Sequence, residues 1–210
     1  MKNNIFLTSD GATVIEDVIK HFDFNNKKKT LFIETSGETH EGKKPWIDNA
    51  KKEMERLGFD MTYYTITEKS ENEIETILND FDVVYMAGGN TMYLLKKSQE
   101  CNFKKCIEKF IKRRGVYIGQ SAGSIITGPN IKSLYELEND DFFKELNDYD
   151  GYGLVDFVTI PHFGDKSKKE ERFFNVRFKH MYGSGYKIFL LTDQQYIRIQ
   201  EDGMYKIEEV

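Results

Sequence analysis

Cysteine is scarce in this chain: Cys101 and Cys106 are the only two in 210 residues. So few thiols exclude a disulfide framework and fit a reducing compartment. No His or Cys stands close enough in sequence to complete a zinc site with them. Both are therefore expected to be ordinary semi-buried thiols, and no metal is expected. Proline occurs three times and histidine four times, so few side chains can serve as a catalytic base. No apolar run approaches the ~20 residues that cross a bilayer. The apolar start is broken by Thr8-Ser9-Asp10-Gly11 before it reaches the length of a signal peptide core. The expectation is a cytoplasmic protein with no membrane partner. Basic charge is not in excess either: Lys and Arg total 30 against 35 Asp and Glu, a net charge of −5. That balance argues against a nucleic-acid partner, which selects a basic face.

What is present suits a sizeable core. Hydrophobic residues make up 39% and aromatic residues 14%. The length fits a single domain over residues 1–210. Apolar periodicity predicts strands at Ile5–Ser9, Leu31–Ile33, Phe59–Ile66, Asp82–Met86 and Gly115–Gly119. Helices are predicted at Thr13–Phe22, Trp46–Leu57, Thr91–Ser98 and Phe103–Arg113, with a further one opened by Ser70. Pro45 and Gly58 bracket the second helix, and Ser70 with Glu73 forms a capping box. Lys27-Lys28-Lys29 reads as a solvated loop. Strand and helix alternate to about residue 127, which predicts an α/β fold: a doubly wound, mostly parallel sheet sandwiched by helices.

The texture then changes. Glu136–Asp150 is acidic, with Phe142, Phe143 and Leu146 spaced for a helix or folded loop. Leu154–Ile160 reads as a strand, Lys166–Tyr182 as an amphipathic helix and Tyr186–Leu191 as another strand. Tyr196–Ile199 and Met204–Ile207 flank the turn signal Glu201-Asp202-Gly203, which predicts a C-terminal β-hairpin.

Function in such sheets collects at the carboxyl ends of strands. There stands Gly119-Gln120-Ser121-Ala122-Gly123, a Gly-x-Ser-x-Gly segment between a strand and a helix. In that context it reads as a nucleophile elbow, a sharp turn that lifts the Ser121 hydroxyl off the sheet. Its glycines remove Cβ atoms that would strike neighbouring backbone, and the Ala122 N–H faces the place where an oxyanion would form. The alternative is a tight turn that happens to hold a serine.

A serine nucleophile needs a base and a group to orient it. His162 follows a strand and Pro161, where a base would stand beside the elbow. His21 ends a helix, a place where imidazole satisfies free carbonyls. His40 lies in a polar loop and His180 in a charged helix. Asp193 follows a strand at its carboxyl end, with Asp156 and Asp165 as local rivals. Gly88-Gly89-Asn90 places unhindered N–H groups at another strand end, ahead of a helix, which suits anion binding. No third glycine follows to make a dinucleotide fingerprint.

Three segments, in order, resemble the peptidase E family of aspartyl dipeptidases, with the cyanophycinases as similar relatives. They are Met86-Ala87-Gly88-Gly89-Asn90-Thr91-Met92-Tyr93-Leu94-Leu95, Tyr117-Ile118-Gly119-Gln120-Ser121-Ala122-Gly123 and Ile160-Pro161-His162-Phe163. The resemblance runs over nearly the whole chain. It implies a fold like that of the class I glutamine amidotransferases, with serine in place of their cysteine, and a serine peptidase without metal or cofactor. By match to the motifs, Ser121 would be the nucleophile, His162 the base, and the Gly89 and Ala122 N–H groups the oxyanion hole.

Leu191-Thr192-Asp193-Gln194 matches the segment where the family has Leu-Pro-Glu-Gly. Aspartate is one methylene shorter, so a triad and a Ser–His dyad both stay open. Glu136 falls nearest the family's aspartate in Asn-Asp-Met. Lys169 and Arg172 occupy the stretch where the family has arginines that bind an acidic side chain. Lysine lacks the bidentate guanidinium fork, so strict preference for N-terminal aspartate does not carry over. With Gly88 and Asn90, these are the substrate-binding candidates. The expected partner is a small peptide, and monomer and homodimer both stay open. An esterase of the α/β-hydrolase type and a non-catalytic binding protein are the alternative readings.

Overall fold

Along the inner strands successive side chains point to opposite faces, and both faces are apolar. In the computed structural model this produces two buried clusters, one on each side of a sheet. Leu7, Leu31, Ile33, Val84, Met86 and Tyr117 belong to one. Phe6, Phe32, Val83, Tyr85, Val116 and Ile118, their sequence neighbours, belong to the other. Continuous apolar runs of this kind mark strands covered on both faces. The structure describes residues 4–135, 141–146, 148–164, 181–200 and 203–210.

The sheet is built from β1 (Asn4–Thr8), β2 (Lys29–Ile33), β3 (Asp60–Tyr64), β4 (Val83–Met86), β5 (Val116–Gln120), β8 (Gln195–Ile199) and β9 (Tyr205–Glu209). Their spatial order is β3-β2-β4-β5-β1-β8-β9. β1 to β5 run parallel. β8 lies antiparallel to β1, and β9 antiparallel to β8, which makes the expected C-terminal hairpin. The predicted α/β class thus holds. β6 (Phe157–Ile160) and β7 (Lys187–Leu190) form a separate two-stranded parallel sheet.

The helices divide between the faces. α1 (Gly11–Val18) and α2 (Pro45–Leu57) pack Val14, Ile15, Ile47 and Met54 on the Phe6 side. The other side carries α3 (Glu71–Leu78), α4 (Thr91–Glu100), α5 (Phe103–Lys112) and the short α6 (Ala122–Ile125). The short α7 (Lys132–Tyr135) and α8 (Asp141–Glu145) follow α6 and pack Leu134, Phe142 and Phe143 on the same side. The chain therefore leaves β1 toward one face and the neighbouring β5 toward the other. That divergence is a topological switch point, and it opens a crevice at the carboxyl ends of the two strands.

Local signals act as read. Pro45 opens α2, and Gly58 ends it at φ 86, a left-handed conformation that glycine adopts without a Cβ clash. Ser70 and Glu73 form a reciprocal capping box. Several boundaries move. The first helix stops at Val18 and tightens into a 3-10 turn over Ile19–His21. Lys29, read as loop, opens β2 because it pairs with Asp60. The strand expected from Leu154 begins only at Phe157. The helix expected at Lys166–Tyr182 falls almost wholly outside the described residues, as do Glu201 and Asp202 of the hairpin turn.

Candidate active site

The elbow is built by close backbone contact. A Cβ on Gly119 would lie 2.5 Å from the Gly123 carbonyl oxygen, and one on Gly123 would lie 2.3 Å from that of Met86. Only glycine lets the turn fold this tightly against β4 and itself. Ser121 sits between them at φ 48, ψ −105, a conformation that L-residues rarely adopt. Beneath it, the buried Tyr117 hydroxyl donates to the Gly123 carbonyl at 2.7 Å. The Ser124 hydroxyl bonds the Gly119 and Thr8 carbonyls at 2.7 and 2.8 Å. A serine before a helix commonly turns its oxygen onto the helix N–H groups. Ser121 makes no such cap.

Its hydroxyl meets His162 instead, with Oγ 3.0 Å from Nε2. The other ring nitrogen, Nδ1, lies 2.7 Å from Asp193 Oδ1. Both partners come from the small sheet. β6 and β7 run parallel with Ile160 beside Leu190. Their pairing continues past the strands, as the Leu191 N–H donates to the Ile160 carbonyl at 3.0 Å and the Phe163 N–H to the Leu191 carbonyl at 2.9 Å. Two parallel strands thus deliver His162 and Asp193 side by side. His162 itself has φ 64. The shorter aspartate spans the gap to Nδ1 without a longer side chain.

The loop after β4 closes the other side. A Cβ on Gly88 would lie 3.2 Å from the Ser121 Cβ, and one on Gly89 would lie 2.2 Å from the Ser36 carbonyl oxygen. The loop after β2 and the first turn of α2 clamp this segment. The Trp46 indole N–H donates to the Gly88 carbonyl at 2.9 Å, the Asn90 N–H to the Ser36 carbonyl at 2.7 Å, and the Ser36 hydroxyl to the Ala87 carbonyl at 2.8 Å. The Asn90 side chain accepts from the Tyr93 N–H at 2.9 Å and caps α4. Ala122 is the first residue of α6, where a helix leaves its N–H groups unpaired.

The remaining candidates sort themselves by place. His21 packs against Phe6 and Tyr196, away from the elbow, and burial lowers its pKa. The exposed His40 sets its ring edge-on to Trp46, 4.9 Å between centroids. Asp156, expected inside a strand, precedes β6 on the surface and pairs with Lys187 at 2.7 Å, which lowers its pKa. Cys101 and Cys106 are buried, and desolvation pushes both thiols up to about 11, far from a nucleophile's range. Asp165, His180, Glu136, Lys169 and Arg172 lie outside the described residues.

Sequence reading missed Ser9. In sequence it reads as the last residue of the first strand; in the structure it follows β1 and is fully buried. Its hydroxyl donates to Asp193 Oδ1 at 2.6 Å and accepts the His162 backbone N–H at 2.7 Å. A serine at a strand end carries no local signal of such contacts.

Comparison with known proteins identifies the family. The sequence model of Peptidase family S51 matches residues 5–207. An uncharacterized peptidase of Listeria monocytogenes is 34% identical over 167 residues, covering 80% of this chain and 81% of the relative. Peptidase E of Salmonella arizonae is 29% identical over 140 residues, 66% of this chain and 57% of the relative. The crystal structure of a candidate peptidase E protein from Listeria monocytogenes superposes with a TM-score of 0.85 at 30% identity, covering 100% of both chains. A peptidase from an acI-B1 actinobacterium, 16% identical, shares the fold at a TM-score of 0.74 over 100% of this chain and 88% of its own. The chain therefore belongs to peptidase family S51, and it is a peptidase.

Proposed function

We propose that this peptidase is a serine enzyme that hydrolyses short peptides through an acyl-enzyme on Ser121. The observation that carries the reading is the chain of contacts Ser121 Oγ to His162 Nε2, 3.0 Å, and His162 Nδ1 to Asp193 Oδ1, 2.7 Å. With Asp193 accepting from Nδ1–H, Nε2 is left free to take the Ser121 proton as the oxygen attacks the scissile carbonyl. The Gly89 and Ala122 N–H groups hold the developing oxyanion, and losing one such donor costs roughly 10²–10³ in kcat. His162 then protonates the leaving amine. Water, activated by the same imidazole, releases the acid product and restores Ser121.

The substrate class follows from the resemblance to peptidase E: dipeptides with an N-terminal acidic residue, contacted by Gly88, Asn90, Glu136, Lys169 and Arg172. The same resemblance supports a glutamine amidotransferase-like fold. An esterase of the α/β-hydrolase type carries its acid between the serine and the histidine. Here Asp193 follows His162.

The test is a mass-spectrometric screen of Asp-X, Glu-X and neutral dipeptides with wild type and Ser121→Ala, beside fluorophosphonate labelling. Hydrolysis of acidic dipeptides by wild type alone, with the adduct on Ser121, is expected. Undiminished hydrolysis by Ser121→Ala would remove the serine mechanism. Much faster turnover of p-nitrophenyl esters than of any peptide would favour the esterase.

A further inference from the structure

The nucleophile and its two partners belong to different sheets. Ser121 leaves β5 of the seven-stranded sheet, while His162 and Asp193 leave β6 and β7 of the two-stranded one. Among the described residues no strand pairing joins the two sheets. Backbone ladders therefore fix His162 against Asp193. The chain runs on from Asp193 into β8, which pairs with β1, and the Thr127 carbonyl accepts the Leu154 N–H ahead of β6 at 2.9 Å. These links bring the two sheets together but set no side chain of the pair against Ser121.

Ser9 stands at the junction. Parallel pairing of β1 with β5 runs to Thr8 beside Gln120, and the Ser121 N–H continues it with a 3.0 Å bond to the Thr8 carbonyl. Ser9, the next residue, is thus held in fixed register beside the nucleophile. Its fully buried hydroxyl reaches across to the other sheet. A serine hydroxyl offers one donor and two acceptor sites. Here the donor goes to Asp193 Oδ1 at 2.6 Å, and one acceptor site takes the His162 backbone N–H at 2.7 Å.

That Asp193 oxygen is also the one at the imidazole, 2.7 Å from Nδ1. The carboxylate is held from two directions, and the backbone of His162 from a third. His162 is at φ 64, so its ring direction depends on holding an uncommon backbone conformation.

From this geometry we infer that Ser9 is a positioning residue of the site, a hydroxyl that sets the His162–Asp193 pair against Ser121 across the junction of the two sheets. Its oxygen reaches the imidazole on the Nδ1 side, 3.5 Å from that nitrogen, and not on the Nε2 side that faces Ser121. It acts by holding the imidazole within reach of the serine hydroxyl and by keeping Asp193 turned toward Nδ1. The inference rests on the serine mechanism proposed above.

The test is Ser9→Ala, alone and combined with Asp193→Ala, assayed on a dipeptide that wild type cleaves. Ser9→Ala is expected to lower kcat by roughly 10–100-fold, the scale of a small misplacement of reacting groups, with KM nearly unchanged. In the Asp193→Ala background, where the carboxylate is already gone, the same change is expected to cost much less, because residues acting as a unit are not additive. The downfield proton resonance of His162 Nδ1–H is expected to shift or broaden in Ser9→Ala while the thermal transition stays cooperative. Ser9→Cys, with a weak donor of similar size, is expected to fall between Ser9→Ala and wild type.

Wild-type kcat in Ser9→Ala would overturn the inference, and so would losses that simply multiply with those of Asp193→Ala. If Ser9→Ala does not fold, Ser9→Cys carries the same comparison. Activity surviving in Ser121→Ala would instead defeat the serine mechanism, a separate outcome.

Discussion

Ser121 occupies a backbone conformation that costs of the order of 1–3 kcal/mol, and its neighbours are arranged to hold it there. The elbow glycines are the clearest part of that support. In Gly123→Ala the new methyl would press on the Met86 carbonyl, which is backbone and cannot swing aside. A loss of roughly 1–3 kcal/mol or more is expected, read from urea unfolding. Within the proposed mechanism the site residues differ in weight. Ser121→Ala and His162→Ala are each expected to reduce kcat by about 10⁶, and Asp193→Ala by about 10⁴, leaving measurable activity. Steady-state rates on one dipeptide check the order. A His162→Ala enzyme running at wild-type speed would remove the imidazole from the chemistry.

Elements explain why those residues meet. β4, β5 and β1 are neighbours in one parallel sheet, so the loops after them share an edge. Alternation and glycine placement make that much legible, since both are local patterns. The first turn of α2, after β2, is a different matter. Trp46 reads as the start of a helix, yet its indole N–H bonds the Gly88 carbonyl across the crevice rim. Trp46→Phe keeps most of the packing and deletes the donor. A drop of about tenfold in kcat is expected if Gly89 serves the oxyanion, with about 1 kcal/mol lost in stability. Unchanged kcat with the stability loss alone would mean that the loop keeps its shape without the bond.

For the molecule as a whole, His21 and Asp17 are two of the side chains through which stability follows pH. Burial, then Arg198, lowers the His21 pKa below its ordinary 6.5. The unfolded chain takes up that proton first as pH falls, so stability declines from about pH 6.5 until the folded-state pKa is passed. Asp17 shifts through its hydrogen bond to Lys20, helped by Tyr196, and its pKa falls below 3.8. Its stabilisation is complete above that unfolded value and is lost as pH falls through the folded one. Urea midpoints across pH should therefore fall in two stages. His21→Gln should abolish the first and spare the second, and a profile unchanged by that substitution would exclude His21 as its source.

What the sequence by itself determined is the part written in local pattern. Apolar runs of β-branched and aromatic residues specify the inner strands, and capping residues specify α2 and α3. The strand-end positions of Ser121, His162 and Asp193 come from the same patterns. Tertiary structure alone decided that β6 and β7 leave the main sheet as a pair, because strand partnership is set by contacts far apart in the chain. It alone decided that Ser9 lies between Asp193 and the backbone of His162, 184 and 153 residues away. A hydroxyl's partners depend on what folding carries to it, and nothing in its own neighbourhood announces them.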